Sequence, residues 1–373
     1  MLRVALRFAS YDKPKSIGVV IGIVVSVFLV GQQIGIFYFL TGAMSSLADN
    51  TDADLWVVDR RTTNVNALGP IDTRVGRQVE ALPGVRKAYP LILAGASVRF
   101  PSGRTSAVTL VGAQPPAFRG GPWRIVHGSP QDLLEEGAVS ADLFDRRTFD
   151  GAGPGTQFEV NGRRAFIAVQ TRGARGFGGT VLFTTEARAR AWGGFPADRV
   201  SAWLIDVAPG ADPIEVRDTI NRTMPGIRAW TARDFSRATV RTILATSGIA
   251  FSVGTLIVFA FLAGMVIIGL TMYSSAVDRL RDYGTLKAIG ANNAYIRGLI
   301  ALQALLFALT GYALGIALIE GFRSGISNTG VLFTYGPGTK VGFFLMTVVI
   351  ALGGAIFAMR RIARVEPASV FRG

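Results

Sequence analysis

The sequence has no cysteine and a single histidine, His127, among its 373 residues. Disulfide staples are thereby excluded, as is any metal site built on thiolates or on a histidine pair. Charge is missing as well, from four long runs: Ser16 to Ala48, Thr242 to Val277, Gly298 to Ile319 and Val341 to Met359. Each run is long enough, as a helix rising roughly 1.5 Å per residue, to cross a hydrocarbon core of about 30 Å. No G-x-x-x-x-G-K-[ST] phosphate loop occurs, so the chain cannot cradle nucleotide phosphates in that way.

What is present is apolar residues, which make up 50% of the chain. That is too apolar for an ordinary soluble protein, and the excess is concentrated in the four runs, as membrane spans require. The formal net charge of +14 invites a nucleic-acid reading until the charges are located. Arg3, Arg7, Lys13 and Lys15 precede the first run; Arg279, Arg281, Lys287 and Arg297 lie between the second and third; Arg360, Arg361, Arg364 and Arg372 follow the fourth. The connection between the third and fourth runs has only Arg323 and Lys340, beside Glu320. Twelve basic residues against two on these short flanks predict cytoplasmic termini and a large domain outside. From Thr41 to Thr246 there are 25 basic and 20 acidic residues, a modest excess, so nucleic acid is not an expected partner. The N-terminal run is too long for a cleavable signal peptide and is expected to stay as an anchor.

The fold class that follows is an α-helical membrane protein with four transmembrane helices, arranged 1+3, and an α+β extracytoplasmic domain between the first two. The expected order is a cytoplasmic amphipathic N-terminus (1–15), the first span with its stalk (16–48), the external domain (49–241), then a stalk and second span (242–277). A cytoplasmic loop (278–297), third span (298–319), external loop (320–340), fourth span (341–359) and cytoplasmic tail (360–373) complete the chain. The first two runs are about 33 and 36 residues, or roughly 50 Å as helices, more than tilt alone absorbs. They are expected to project as a stalk, with irregular polar linker as the alternative.

Within the domain, strands are predicted at Asp54–Val58, Lys87–Phe100, Ser106–Gly112 and Ser201–Val207. Helices are predicted at Thr73–Leu82 and at Pro213–Met224, the latter capped by Asp212. Ala81-Leu-Pro-Gly-Val-Arg86 parallels Thr223-Met-Pro-Gly-Ile-Arg228. A duplicated β-α-β unit with its halves side by side is the simplest reading, with chance resemblance the alternative. Residues from about 112 to 194 read as a β-rich insert. His127 and the Asp132, Glu135, Glu136 group read as surface and helix-start residues. Arg172, Arg175 and Phe177, in a Gly-rich stretch, read as a mobile tip loop where an adaptor protein could dock.

The most distinctive segment is Asp282-Tyr-Gly-Thr-Leu-Lys-Ala-Ile-Gly290, within Ser275–Ala291. A short surface helix is expected, with Leu280, Tyr283, Leu286 and Ile289 as an apolar contact set. Arg279, Arg281, Asp282 and Lys287 would face water or a partner, and Gly284 and Gly290 would permit bends. Periodicity alone favours a basic interfacial loop that only anchors topology. This segment, the basic ending Arg360-Arg-Ile-Ala-Arg-Val-Glu-Pro-Ala-Ser-Val-Phe-Arg372, and the plan of one span, a large domain and three spans resemble the FtsX/MacB-like (type VII) ABC transporter permeases. Asp282–Gly290 and Glu159-Val-Asn-Gly-Arg-Arg164 look most like the DevC-like exporter permeases.

The resemblance implies a non-catalytic permease in the bacterial inner membrane, working as a homodimer on two copies of an ABC ATPase subunit. It binds no cofactor itself; ATP and Mg would be used by that partner. Residues 279 to 290 would be the ATPase-coupling element, Val365, Glu366 and Pro367 a second contact, and Leu2–Tyr11 an amphipathic helix on membrane lipid. Export of a hydrophobic or amphiphilic substrate, with a possible membrane-fusion adaptor and outer-membrane channel, is the leading expectation. The alternatives are an FtsX-like transducer that activates an external hydrolase, and a membrane-anchored binding domain without energy coupling.

Overall fold

The computed structural model describes residues 13–146 and 149–363, together with Arg3 and Ala5. The chain divides into two compact units, one formed by residues 1–38 and 249–373 and the other by residues 39–248.

The first unit is helical. Helix α1 (Lys13–Asp49) contributes its residues up to Tyr38. Four residues on one of its faces, Val19, Ile23, Val27 and Val30, are buried, while Ile17, Ile21, Val25 and Leu29 on another are exposed. Large exposed aliphatics at helical spacing suit a helix whose outer face meets lipid. The other long apolar helices of this unit are α6 (Ile249–Asp278), α8 (Asn293–Ser327) and α9 (Pro337–Ala363). Small residues let them approach closely, as membrane helices do without a hydrophobic force between them. A Cβ on Gly354 of α9 would sit 2.9 Å from the Gly269 backbone nitrogen of α6, so neither position accepts a larger side chain without separating the helices.

Helix α8 overruns its expected span. It continues through Glu320 and Arg323 to Ser327 because these charges neutralise one another: Glu320 meets Arg323 at 2.6 Å and Lys340 at 2.8 Å. The connection to α9 folds back on α1, where the Tyr335 hydroxyl donates to the Gly31 carbonyl at 2.8 Å.

The second unit is α+β. Its core has β1 (Leu55–Asp59), β3 (Val85–Arg99), β11 (Ala202–Val207) and β12 (Ile227–Thr231), ordered β12-β1-β11-β3 with antiparallel neighbours. Helix α2 (Arg74–Glu80) links β1 to β3, and α4 (Pro213–Thr223), capped by Asp212 as expected, links β11 to β12. The two β-α-β halves are therefore present but interleaved, not side by side. Each half leaves a gap between its parallel strands, and the other half's strand fills it. A helix about 10 Å wide spans two strand spacings of about 4.8 Å, which favours a one-strand gap.

Alternation along β1 divides the core. Leu55 and Val57 pack with Val79 of α2 and with Val216 and Ile220 of α4. Trp56 and Val58 face the other way, toward Leu47 and Ala48 at the end of α1 and Phe235 of α5 (Ala232–Ser247). The helices by which the chain enters and leaves the domain thus share one sheet face. Asn66 donates to the Met44 carbonyl at 2.7 Å, and Thr239 Oγ1 accepts from the Val65 amide at 3.0 Å. Helix α5 ends at Gly248, which takes φ +66°, before α6 begins. The second uncharged run is therefore two helices, and Thr242, Thr246 and Ser247 belong to the domain.

The insert grows from the same sheet. β3 is 15 residues long; its far half pairs with β4 (Thr105–Ala113) and its tip with β7 (Gln157–Val160). β4 continues to β9 (Thr180–Thr185), and β7 to β8 (Arg163–Thr171), which pairs with β6 (Ala138–Asp142) and β5 (Ile125–His127). Side chains join β6 to β9: the Phe183 amide donates to Ser140 Oγ at 2.9 Å, and Thr184 Oγ1 to the Ala138 carbonyl at 3.1 Å. The two arms thus close on each other around Phe100, Phe149 and Phe158. Helix α3 (Glu186–Trp192) and a two-stranded pair, β2 (Ile71–Asp72) with β10 (Arg199–Val200), cover the rest. Ser129 and Asp132 form a capping box on the short helix Pro130–Leu134, as expected of a helix start, and His127 is exposed.

Gly354→Leu should separate α6 from α9 at a cost of about 1–3 kcal/mol. In detergent, circular dichroism should show a lower helical melting temperature, while tryptophan fluorescence should not change, because all five tryptophans lie in the second unit.

Candidate coupling site

The segment after α6 breaks at Arg279, with φ −104° and ψ 17°, and resumes as α7 (Leu280–Ala288). Asp282 in its first turn suits the positive end of the helix. Gly290, at φ +100°, ends it, and Asn292 caps α8 by accepting from the Tyr295 amide at 2.8 Å.

One side of α7 is turned into the bundle. Tyr283 and Gly284 are buried; burial pushes the Tyr283 phenol up to about 12, and its hydroxyl is hydrogen-bonded with Gln303. Arg279, expected to face water or a partner, is instead only 7% exposed. It lines a small cavity of about 20 Å³ with Lys15, Tyr283 and Gln303, room for about one water and too small for a substrate. Lys287, also expected to face outward, donates to the Ile362 carbonyl at 3.2 Å, near the last turn of α9. Lys15 pairs with Asp278, tying the start of α1 to the end of α6.

The other side of α7 is open. Arg281, Asp282 and Thr285 are exposed, Leu280 and Leu286 are half-buried, and Ile289 is 77% exposed. The expected apolar set is thus divided, Tyr283 facing inward and Ile289 outward. Val365, Glu366 and Pro367 lie outside the described residues, as does Leu2–Tyr11 apart from Arg3 and Ala5. Reading the sequence missed Lys15, Asp278 and Gln303 as members of this cluster. Gln303, an amide inside an uncharged run, was the one available signal; the Lys15–Asp278 pair has no local signature.

The Arg172, Arg175 and Phe177 loop differs from the free tip loop expected. Asp142 accepts from Thr171 Oγ1 at 2.9 Å and from the Ala174 amide at 2.8 Å, which pins its start. Arg175 pairs with the fully buried Asp145 at 2.7 Å, and its carbonyl accepts from Ser46 of α1 at 2.6 Å. The loop therefore lies against the end of α1. Phe177 is half-buried, and the Arg172 guanidinium lies 5.8 Å from the Phe144 ring.

The family model for the MacB-like periplasmic core domain matches residues 16–223, more than half of the chain, and that for the FtsX-like permease C-terminal region matches residues 254–367. The chain belongs to the FtsX/MacB-like ABC transporter permeases. An uncharacterised ABC transporter permease of Mycobacterium tuberculosis strain H37Rv is 27% identical over 390 residues, covering 100% of both chains. One of Methanocaldococcus jannaschii is 25% identical over 181 residues, 45% of each. Among solved structures, the periplasmic region of MacB from Actinobacillus actinomycetemcomitans superposes with a TM-score of 0.37 at 8% identity, covering 54% of this chain and 99% of that one. The permease is thus a multi-pass membrane protein, and α7 falls within the matched FtsX-like region.

The Asp145–Arg175 pair makes a pH-dependent prediction. Burial raises the Asp145 carboxyl above the ordinary range, and the Arg175 charge opposes the rise. The native state then holds that proton more tightly than the unfolded chain, so ionisation of Asp145 weakens the fold as pH rises. Arg175→Met should destabilise the domain by about 3 kcal/mol near neutral pH. The deficit should shrink as pH falls through the carboxylate range, as read by tryptophan-fluorescence melts.

Proposed function

We propose that this permease is the membrane subunit of an exporter, coupling ATP hydrolysis by a separate ATPase subunit to movement of its large domain outside the membrane. The observation that carries this reading is the two-sided character of α7. Its inner side is seated through Tyr283 beside Gln303 of α8 and Lys287 on the Ile362 carbonyl of α9, while Arg279 lines a cavity with Lys15 of α1 and Ala276 of α6. Its outer side presents an exposed isoleucine beside charged residues, as a protein contact requires. A push on that outer side would be passed to α6 and α9 through the inner one. Two permeases on two ATPases, with cytoplasmic termini in the bacterial inner membrane, is the arrangement that fits. The cargo class proposed is hydrophobic or amphiphilic, as the resemblance to exporter permeases implies. A membrane-fusion adaptor and outer-membrane channel would complete the export path.

Replacing Ile289 with Asp removes roughly 2 kcal/mol of apolar contact. Stimulation of the partner ATPase by the reconstituted permease should fall about thirtyfold, with helical melting unchanged. Full stimulation in that variant would remove the role assigned to α7.

A further inference from the structure

In the α+β domain a cleft of about 820 Å³ opens between α4, β12 and α5. Four arginines line it, Arg217, Arg228, Arg237 and Arg241, against two acids, Asp218 and Asp234, an excess of two positive charges by 4 − 2. The acids are already committed. Arg217 meets Asp218 at 2.8 Å and Asp234 at 3.2 Å, with Arg237 at 4.0 Å from Asp234. Arg228 stacks on the Trp230 face at 3.8 Å, and among the described residues neither it nor Arg241 forms an ion pair with a carboxylate.

Scattered surface arginines need no explanation beyond solubility. These converge on one concavity with an aromatic wall, and its floor is fixed. Asn221 donates to the Ala229 carbonyl at 3.1 Å and accepts from the Ala229 amide at 2.8 Å, locking α4 to β12. The contact with Trp230 restrains the Arg228 guanidinium, a group whose forked N–H donors suit a bidentate acceptor. A planar fork held in a cleft of net positive charge matches a phosphate group, whose oxygens accept paired N–H bonds. Arg241 also stands only eight residues before Ile249, where α6 begins, so chain length alone keeps it within about 29 Å of that span.

We propose that this cleft binds a phosphate group, with Arg228 and Arg241 as its principal donors. The group could arrive on a lipid headgroup or as a free ion, and the experiment separates the two. The full-length protein in dodecyl maltoside is titrated calorimetrically with inorganic phosphate, dihexanoyl phosphatidic acid and dihexanoyl phosphatidylcholine. Phosphatidic acid binding well above the other two identifies a lipid headgroup; phosphatidic acid and inorganic phosphate binding alike identify the free ion. In either case the R228Q/R241Q variant should bind about a hundredfold more weakly, each lost charged hydrogen bond contributing about tenfold. Its melting curve should be unchanged. An R163Q/R164Q control, which removes two exposed arginines outside the cleft, should bind as the parent does. No binding of either phosphate ligand, or equal weakening in both variants, overturns the proposal. Binding is read directly, so the result stands whether or not the permease exports anything.

Discussion

A charge placed at the centre of a bilayer costs roughly 3 kcal/mol, and the layout of this permease follows from avoiding that cost. Charges gather at the helix ends, where most find partners: Lys15 with Asp278 at one place, Glu320 with Arg323 and Lys340 at another. The hydrocarbon core is left to aliphatics and to small residues that let helices touch, as at Gly269 and Gly354. On the proposed topology α6 crosses once, which would put the domain before it and α7 after it on opposite sides of the membrane. On that proposal, communication between them would pass along helices.

Both ends of the proposed path are anchored by named contacts. At one end, α7 is fastened to its neighbours by Tyr283 beside Gln303 and by Lys287 on the Ile362 carbonyl. At the other, the last turns of α1 and the start of α5 pack on one sheet face through Leu47, Ala48 and Phe235. Trp56 and Trp230 both lie against Phe235, with ring centroids 5.6 and 5.9 Å away. These contacts bind the helix ends to the sheet in one close-packed interior. Gly248 is the one left-handed residue between α5 and α6, and it is where the two units divide.

Features carried by local pattern were legible in the sequence. The four spans, the helix capped by Asp212, the long strand at Val85–Arg99 and the short helix at 280–288 all announce themselves through periodicity, caps or the absence of charge. Features that depend on distant partners were not. The interleaving of the two β-α-β halves is a choice of strand neighbours, and alternation along β1 is the same in either arrangement. The extension of α8 past Glu320 depends on Lys340, twenty residues on. The seat of Arg175 depends on Asp145, and the inward turn of Arg279 on helices from three parts of the chain. The Gly248 break lies inside an uninterrupted uncharged run, where hydropathy has no contrast to offer.

The absence of native cysteine makes the decisive measurement simple. Single cysteines at Ser102, on an exposed turn of the domain, and at Thr285, on the open side of α7, would each be the only thiol present. In intact cells a membrane-impermeant maleimide should label Ser102→Cys at once and Thr285→Cys only after permeabilisation. Labelling of both from the same side would contradict the transmembrane path on which the account rests.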